Sequence, residues 1–475
     1  MTHRQTFLFD DAVPHLSGCG LIFDYFAGAG GASTGIEWAL GRSPDVAINH
    51  CEHAVRVHEL NHPRTDHVRV DVWDVDPVRH LPPGDVSLCW FSPDCRHFSR
   101  AKGSTPVSRK VRGLAWVALR VAGRRRPRVI VIENVPEFVT WGPVRKRRFG
   151  RHKGKVMPVS TKVGQSFRRF IDQFRALGYV VEYRVLNAAD HGAPTSRKRL
   201  FLIARCDGAP VVWPDATHGP GRAHPYRTAA ECIDWSIHCP SIFDRKRPLA
   251  AATCKRIADG LRRYVIENPR PFLAPVDGGL VAHTMVQTGH GEHDKQRPRS
   301  LDLGVPLGTV VTSTKHALVA VWLAKHYGGV VGHGVDRPIG TITTVDHHSL
   351  VACHLSTLPM PEDRRNLVAS FLTTYYGQGT GQSLDDPMRT VVTKDRFGLV
   401  TVVVDGQTYA VVDIGLRMLT PRELARAQGF DDTFQLIGTQ TDQVARVGNS
   451  VCPPLARAIV AANLGEPSRG NGVRL

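Results

Sequence analysis

The most reactive side chain in the sequence is the thiol of Cys95, set in Trp90-Phe-Ser-Pro-Asp-Cys-Arg-His-Phe-Ser99 directly after an apolar run. Arg96 and His97 flank it and a basic loop follows, a cationic setting that favours the thiolate and hence nucleophilic attack. A buried, inert cysteine fits an apolar neighbourhood better than this polar one. A second segment, Val129-Ile-Val-Ile-Glu-Asn-Val-Pro, ends a plainly apolar strand on Glu133. An unpaired buried charge is costly, so that carboxylate is expected to face a site. A third, Gly192-Ala-Pro-Thr-Ser-Arg-Lys-Arg-Leu-Phe, sets Arg197 and Arg199 two apart and leads into a strand. At that spacing both are expected to project to one side.

Phe23-Asp-Tyr-Phe-Ala-Gly-Ala-Gly-Gly-Ala-Ser places a glycine loop between a strand and a helix. Small residues there let a cofactor approach the backbone, although a tight structural turn would use the same glycines. The dinucleotide pattern G-x-G-x-x-G is broken by Ser33, which excludes a simple nicotinamide enzyme. Asn49 follows a second strand, where nucleotide-binding folds hold a ribose, and Asp71 stands where a carboxylate meets an adenine amino group. Taken singly, each of these fits a structural role better than a functional one.

These residues need a frame, and the first 205 residues supply one. Leu21–Phe26, Val46–Ile48, Val86–Phe91, Val129–Ile132, Val180–Val185 and Leu200–Ile203 read as strands; Ser33–Leu40 and Glu52–Leu60 read as helices. Phe167, Phe170, Ile171, Phe174 and Leu177 recur on one helical face. Such alternation predicts an open α/β sheet with helices on both faces and ligands at the carboxyl ends of the strands. From about 208 to 412 Gly, Pro, Thr and His rise and a pattern repeats: Val305-Pro-Leu-Gly-Thr, Arg337-Pro-Ile-Gly-Thr and Asp386-Pro-Met-Arg-Thr, with a weaker copy at Arg247-Pro-Leu-Ala. Short apolar runs follow the three main copies, Leu318–Val321, Leu350–Ala352 and Leu399–Val402, which predicts stacked β units in a separate lobe. Helical texture returns after that, with Thr420-Pro-Arg-Glu as a helix start and a last helix around Pro454–Leu464.

The formal charge of +18 points to a polyanionic partner. Arg96, Arg100, Lys102, Arg109, Lys110 and Arg112 form one acid-free run, and Arg145 to Lys155 holds another. A solvated surface carries such runs too. Both, however, directly follow segments that carry chemistry, which favours a nucleic-acid groove. Ten scattered cysteines lack zinc-site spacing, so no metal is expected. No apolar run reaches the ~18 residues of a membrane span, and the N-terminus lacks a secretory pattern, so an intracellular protein is expected.

Together the motifs resemble the cytosine-5 DNA methyltransferase family. Phe23–Ser33 is similar to its cofactor loop, Ser92–Ser99 to its nucleophile segment, Glu133-Asn134-Val135 to its Glu-Asn-Val signature, and Thr195–Arg199 to its arginine element. Arg422-Glu-Leu-Ala-Arg-Ala-Gln-Gly-Phe and Gly448-Asn-Ser-Val-Cys-Pro-Pro are similar to its two C-terminal signatures. Asp94, Arg96 and Thr195 depart from the usual residues, and Asn49 stands where a glutamate is common.

The resemblance implies a Rossmann-like, S-adenosylmethionine-dependent methyltransferase domain with an inserted β-rich target-recognition lobe. The domains are expected at 1–207, 208–412 and 413–475. It implies Cys95 as nucleophile, Glu133 as the group at ring nitrogen 3 of cytosine, and Arg197 and Arg199 beside them. Asp24, Phe26, Ala27, Gly28, Gly30, Asn49, Asp71, Val72, Asn449, Ser450 and Val451 would hold the cofactor, and the run from Arg96 to Arg112 would grip double-stranded DNA around a flipped base. A cytoplasmic, prokaryotic enzyme associated with the nucleoid is expected, with a cognate restriction endonuclease as a functional partner. An RNA methyltransferase and a non-catalytic DNA-binding relative are the alternatives.

Overall fold

The computed structural model describes residues 20–95, 98, 108–149, 153–268, 270, 273–276, 279–287, 300–310, 316–325, 401–404 and 407–465. Its first half contains strands β1 (Leu21–Tyr25), β2 (Val46–Ile48), β3 (Asp66–Val68), β4 (Val86–Phe91), β5 (Val129–Asn134), β6 (Val144–Lys146), β7 (Val156–Pro158), β8 (Val180–Asn187) and β9 (Lys198–Arg205). Seven of these form one sheet in the order β3-β2-β1-β4-β5-β9-β8. The first five run parallel; β9 is antiparallel to β5, and β8 antiparallel to β9. This is a mixed, mostly parallel α/β sheet. Strands β1, β4 and β5 are buried along their whole length, as apolar runs covered on both faces must be.

The chain leaves β1 toward β2 and β3, then crosses back to add β4 on the other side of β1. That reversal opens a crevice outside the carboxyl ends of β1 and β4, the place where such sheets bind ligands. The glycine loop follows β1, and the Cys95 segment follows β4. Strand β1 stops at Tyr25, one residue before the expected end, because Phe26 has φ +62° and leaves the extended conformation.

The described helices are α1 (Gly31–Leu40), α2 (Glu52–Asn61), α3 (Arg109–Arg112), α4 (Trp116–Arg125), α5 (Gln165–Ala176), α6 (Ala251–Leu261), α7 (Pro421–Gln428), α8 (Gln440–Asn449) and α9 (Pro453–Leu464). In α5 the buried residues are Phe167, Phe170, Ile171 and Phe174, the expected i, i+3, i+4, i+7 stripe. Helix α9 lies against α1 almost backbone to backbone. A Cβ added at Gly35 would stand 2.5 Å from the Ala456 Cβ and 2.6 Å from the Pro453 carbonyl oxygen. Asn463 also ties α9 to the strand-like segment after β9, accepting from Val212 N and donating to its carbonyl oxygen.

The chain divides into two compact units. One comprises Met1–Asn187, Lys198–Asp215 and Ser450–Leu475; the other comprises Ala188–Arg197 and Ala216–Asn449. The second unit has its own antiparallel sheet, in the order β10-β11-β13-β15-β14 with β12 beside β11. Its strands are β10 (Leu273–Val276), β11 (Gly279–Gln287), β12 (Ser300–Leu301), β13 (His316–Lys325), β14 (Thr401–Val404) and β15 (Gln407–Met418). The expected boundary at 412 falls inside β15.

Of the repeats, the runs after Val305 and Asp386 reach β13 and β14, but residues 305–310 themselves form a turn and a single bridge. The copies at Arg337 and Asp386 lie outside the described residues. The fourth copy is not a β unit. It leads into α6, where Cys254, Ile257, Ala258 and Leu261 are buried at helical spacing. Helix α7 starts as expected, with a Thr420–Glu423 capping box. Glu423 is wholly buried and takes both guanidinium nitrogens of Arg417, at 2.7 and 2.9 Å.

Candidate active site

Register places the Cys95 segment, the expected nucleophile, beside Glu133, the expected acid. Phe91 of β4 pairs with Ile132 of β5, so Glu133 comes next on one strand as the Ser92–Cys95 segment leaves the other. The two segments are tied together: the Asn134 side-chain amide donates to the Pro93 carbonyl at 3.1 Å, and Ser92 N donates to Tyr25 O. After Cys95 the chain turns back, with Phe98 N donating to the Cys95 carbonyl at 2.9 Å. Phe98 packs edge-on against Phe138 and Trp141, a block that also includes Trp116 and Phe170. That block fixes the far side of the nucleophile turn.

Glu133 is 7% exposed, and the Arg199 Nε stands 3.1 Å from its Oε1. Leu200 of β9 faces Asn134, so Arg199 is the residue that reaches the end of β5. The Arg199 guanidinium orients the Glu133 carboxyl group at the end of β5.

Arg197 does not stand beside Arg199 on the strand. Strand β9 begins at Lys198, and residues 194–197 are held by 307–310 within the second unit. Ser196 N donates to Leu307 O, the Thr195 hydroxyl to Gly308 O at 3.1 Å, and Arg197 Nη1 to Val310 O at 2.8 Å. The unusual Thr195 thus has a structural use.

The glycine loop is held from both sides. The Asn49 amide donates to the Ala27 carbonyl at 2.7 Å, while its oxygen accepts from Cys51 N, and Ala27 N donates to Ile48 O. Asn49 therefore shapes the loop. Gly28 faces open space, since a Cβ there meets no protein atom within 4 Å. Gly30, at φ +106°, is the residue before α1, and its Cβ would lie 2.8 Å from His62 Nε2. A Cβ on Gly31 would stand 2.2 Å from the Val451 carbonyl and 2.3 Å from the Ser450 hydroxyl, so Ser450 and Val451 do return to the loop.

Two polar atoms here are orphaned. Asp24 is 1% exposed; its Oδ2 accepts from the Ser33 hydroxyl at 2.8 Å, and its Oδ1 has no partner. The buried Ser450 hydroxyl has none either. Burial pushes the Asp24 carboxyl up to about 7, against the lowering effect of Ser33.

Behind Asp24 runs a chain of side chains that the sequence reading missed. The Ser33 hydroxyl, committed as donor to Asp24, must accept from His58 Nε2 at 2.9 Å. His58 Nδ1 is then an acceptor, taking the proton of His67 Nε2 at 2.8 Å. Burial first, then His62 and His67, hold His58 well below the usual histidine range and keep it neutral. His62 joins Thr34 and Glu37 on the other side. The three histidines bond to side chains, and among the described residues no group is arranged to hold a metal ion.

The remaining expected residues are dispersed. Asp71, beyond β3, gives one carboxylate oxygen to Trp73 N and the other to Lys110 Nζ at 3.0 Å; these lower its pKa, the backbone bond foremost. The Val72 side chain belongs to the hydrophobic core. Asn449 is exposed and ends α8 in the second unit. Arg112 is a correction. It is 6% exposed, stacked 4.5 Å over the Phe98 ring and donating to Gly142 O, so it builds the aromatic block and does not present itself to phosphates. Arg96, Arg100 and Lys102 lie outside the described residues, as does the Arg109 side chain.

A carboxyl group paired with an arginine, one strand from a cysteine segment, and a glycine loop with two orphaned polar atoms thus lie at the carboxyl ends of the same α/β sheet. The model of the C-5 cytosine-specific DNA methylase family matches residues 21–218 and 366–464. The chain belongs to that family, the DNA cytosine-5 methyltransferases. It is 27% identical over 229 residues to the type II methyltransferase M.AquIA of Picosynechococcus, covering 45% of this chain and 87% of that one. Over 200 residues it is 30% identical to M1.HphI of Haemophilus parahaemolyticus, and over 205 residues 31% identical to M.XorII of Xanthomonas oryzae. The chain spans 48% and 42% of the length of these two. Among solved structures, a DNMT2 of Spodoptera frugiperda is similar at 12% identity and TM-score 0.49, over 93% of this chain and 98% of that one.

Proposed function

We propose that the protein transfers a methyl group to carbon 5 of a cytosine flipped out of a specific duplex DNA sequence. The observation that carries this is the Arg199–Glu133 pair at the carboxyl end of β5, one strand from Cys95, in a chain of this family.

Carbon 5 of cytosine is too electron-poor to attack a methyl donor unaided. The Cys95 thiolate adds to carbon 6, and the electron pair moves toward carbon 5. Glu133 delivers a proton to ring nitrogen 3 and so offsets the negative charge that builds as sulfur adds, help worth ~10²–10⁴ in rate. Arg199 orients Glu133 and holds the base oxygen. Once carbon 5 carries the methyl group, a base removes its proton and the Cys95 sulfur leaves. Arg197 acts within the second unit and supports the segment leading to Arg199.

The site fits S-adenosylmethionine, which supplies an electrophilic methyl on a sulfonium centre. Asp24, with its orphaned Oδ1, and the Ser450 hydroxyl would meet its polar groups; Phe26, Ala27, Gly28 and Gly30 would line its approach; Asn49 would shape the loop; Asp71 would meet the adenine end. Val451 closes the loop through Gly31. Asn449 precedes this return. The second unit would read base edges in the major groove. The resulting mark would shield DNA from a restriction endonuclease of the same specificity, in keeping with the type II naming of the relatives. The enzyme would work in the cytoplasm, beside the nucleoid.

The test is expression in a host without cytosine methylation, with 5-methylcytosine mapped at base resolution and Cys95→Ala alongside. One recurring methylated sequence, absent in the variant, is expected. Unmarked DNA in cells making folded protein would overturn the reading, and methylated RNA from the same cells would redirect it.

A further inference from the structure

Beyond β5 the chain builds a feature the catalytic site does not use. Strands β6 and β7 form an isolated antiparallel ribbon, with Val144 opposite Pro158, Arg145 opposite Met157 and Lys146 opposite Val156. Arg147 and Lys155 continue the ladder, Arg147 N donating to Lys155 O at 2.9 Å. Arg145, Lys146, Arg147, Arg148, Lys153 and Lys155 are all exposed, and none makes an ion pair among the described residues. The sequence has no Asp or Glu from residue 138 to residue 171, so no local carboxylate offsets them. The contrast with the other basic run is plain: Lys110 there pairs with Asp71.

The root of the ribbon is rigid and close to the chemistry. Val159 N donates to Pro143 O, Phe167 N to Trp141 O, and a Cβ on Gly142 would come within 2.2 Å of the Lys162 carbonyl. Trp141, one residue before that glycine, sits in the block that holds Phe98 and so the turn after Cys95. The ribbon and the Cys95 segment thus share one anchor beyond the carboxyl ends of β4 and β5. Six exposed cations with no local carboxylate form a surface suited to a polyanion.

We infer that the β6–β7 ribbon is a second DNA-binding element, contacting backbone phosphates of the duplex outside the target base pair. The inference rests on the proposed action on duplex DNA and adds to it a division of labour. A two-stranded ribbon is of a size that DNA grooves admit, and contacts to phosphates carry no sequence information. The ribbon therefore sets affinity and its salt dependence, and leaves the recognised sequence to the rest of the protein.

The experiment compares the full chain with a variant carrying Gln at all six positions. Duplexes with and without the mapped target sequence are titrated at several salt concentrations. Each lost phosphate contact should reduce the slope of log K against log salt by ~0.9, so a fall of roughly 3 to 5 is expected, equal on both duplexes. The KM for DNA rises, while kcat at saturating duplex and the methylated sequence stay the same. An Arg145→Gln, Lys146→Gln double variant should show a proportionally smaller fall. Matching melting temperature and S-adenosylmethionine affinity show that the variants are folded.

Unchanged slope and KM in a methylating enzyme overturn the ribbon inference alone. So does loss of binding confined to vesicles of phosphatidylserine and phosphatidylcholine, which would give the ribbon a membrane partner. A wild-type protein that leaves DNA unmarked sinks the parent reading, whatever the ribbon variants do.

Discussion

At the residue scale, the proposed cofactor role of Asp24 would join burial to ligand binding. Its carboxyl sits at about 7 instead of the ordinary 3.8, because burial penalises the anion. Below about pH 7 the unliganded protein therefore holds Asp24 protonated. A cationic cofactor group at the orphaned Oδ1 favours the anion, so its binding would release a proton. Affinity for S-adenosylmethionine is expected to weaken about tenfold per pH unit between 7 and 5. Calorimetry in buffers of different ionisation heat checks this, and Asp24→Asn should flatten the dependence. A pH-independent wild-type affinity would remove Asp24 from the cofactor site. Cys95, Glu133 and Arg199 each break the local pattern of the sequence, a thiol among cations, a carboxylate closing an apolar strand, an arginine opening one, and the structure pairs the last two. Arg112 misled, because a cation in a basic run gives no sign that an aromatic ring, Phe98, lies under it. His58 gave no signal, because its partner Ser33 is 25 residues away and meets it only across α1 and α2.

At the element scale, the β1–α1 loop depends on close backbone approach. Gly31→Ala would press a methyl into the Val451 carbonyl and the Ser450 hydroxyl, a strain worth ~1–3 kcal/mol. A lower melting temperature together with weaker cofactor binding is expected; an unaltered protein would mean that α9 can draw back.

The histidines beside this loop set its response to acid. His58, His62 and His67 all have depressed pKa values in the fold, burial being the leading cause. Their contribution to stability is present above the ordinary 6.5 and is lost as pH falls through their folded values. Asp24 acts oppositely, its contribution present below 3.8 and lost as pH rises through about 7. Each group contributes a slope of up to ~1.4 kcal/mol per pH unit, so three histidines outweigh one aspartate. Melting temperature should fall on acidification below pH 6.5, and His67→Gln should lessen the fall. The strands and helices around this loop were readable from periodicity. Helix α6 was not, since its Ala-rich turn lies in a stretch dominated by Gly, Pro and Thr.

At the scale of the whole molecule, composition announced the polyanion partner, and strand–helix alternation announced the sheet. The division of the chain was harder to see. Residues 188–197 belong with 216–449 because they bond to 307–310, a pairing with no local signature. Residues 198–215 and 450–465 return to the first unit by the same kind of long-range contact.

That return fixes an order in time. On the ribosome, β1 and the glycine loop emerge early, but the carbonyl that closes on Gly31 belongs to Val451. At ~5–20 residues per second the loop waits tens of seconds for its last wall, with the whole second unit made in between. A chain whose synthesis stops after Asn449 should therefore bind no S-adenosylmethionine, even where the second unit is folded; binding by such a fragment would show that the loop closes without α9. Methylation would thus be a property that the nascent protein acquires late, only after the part proposed to recognise DNA has been synthesised.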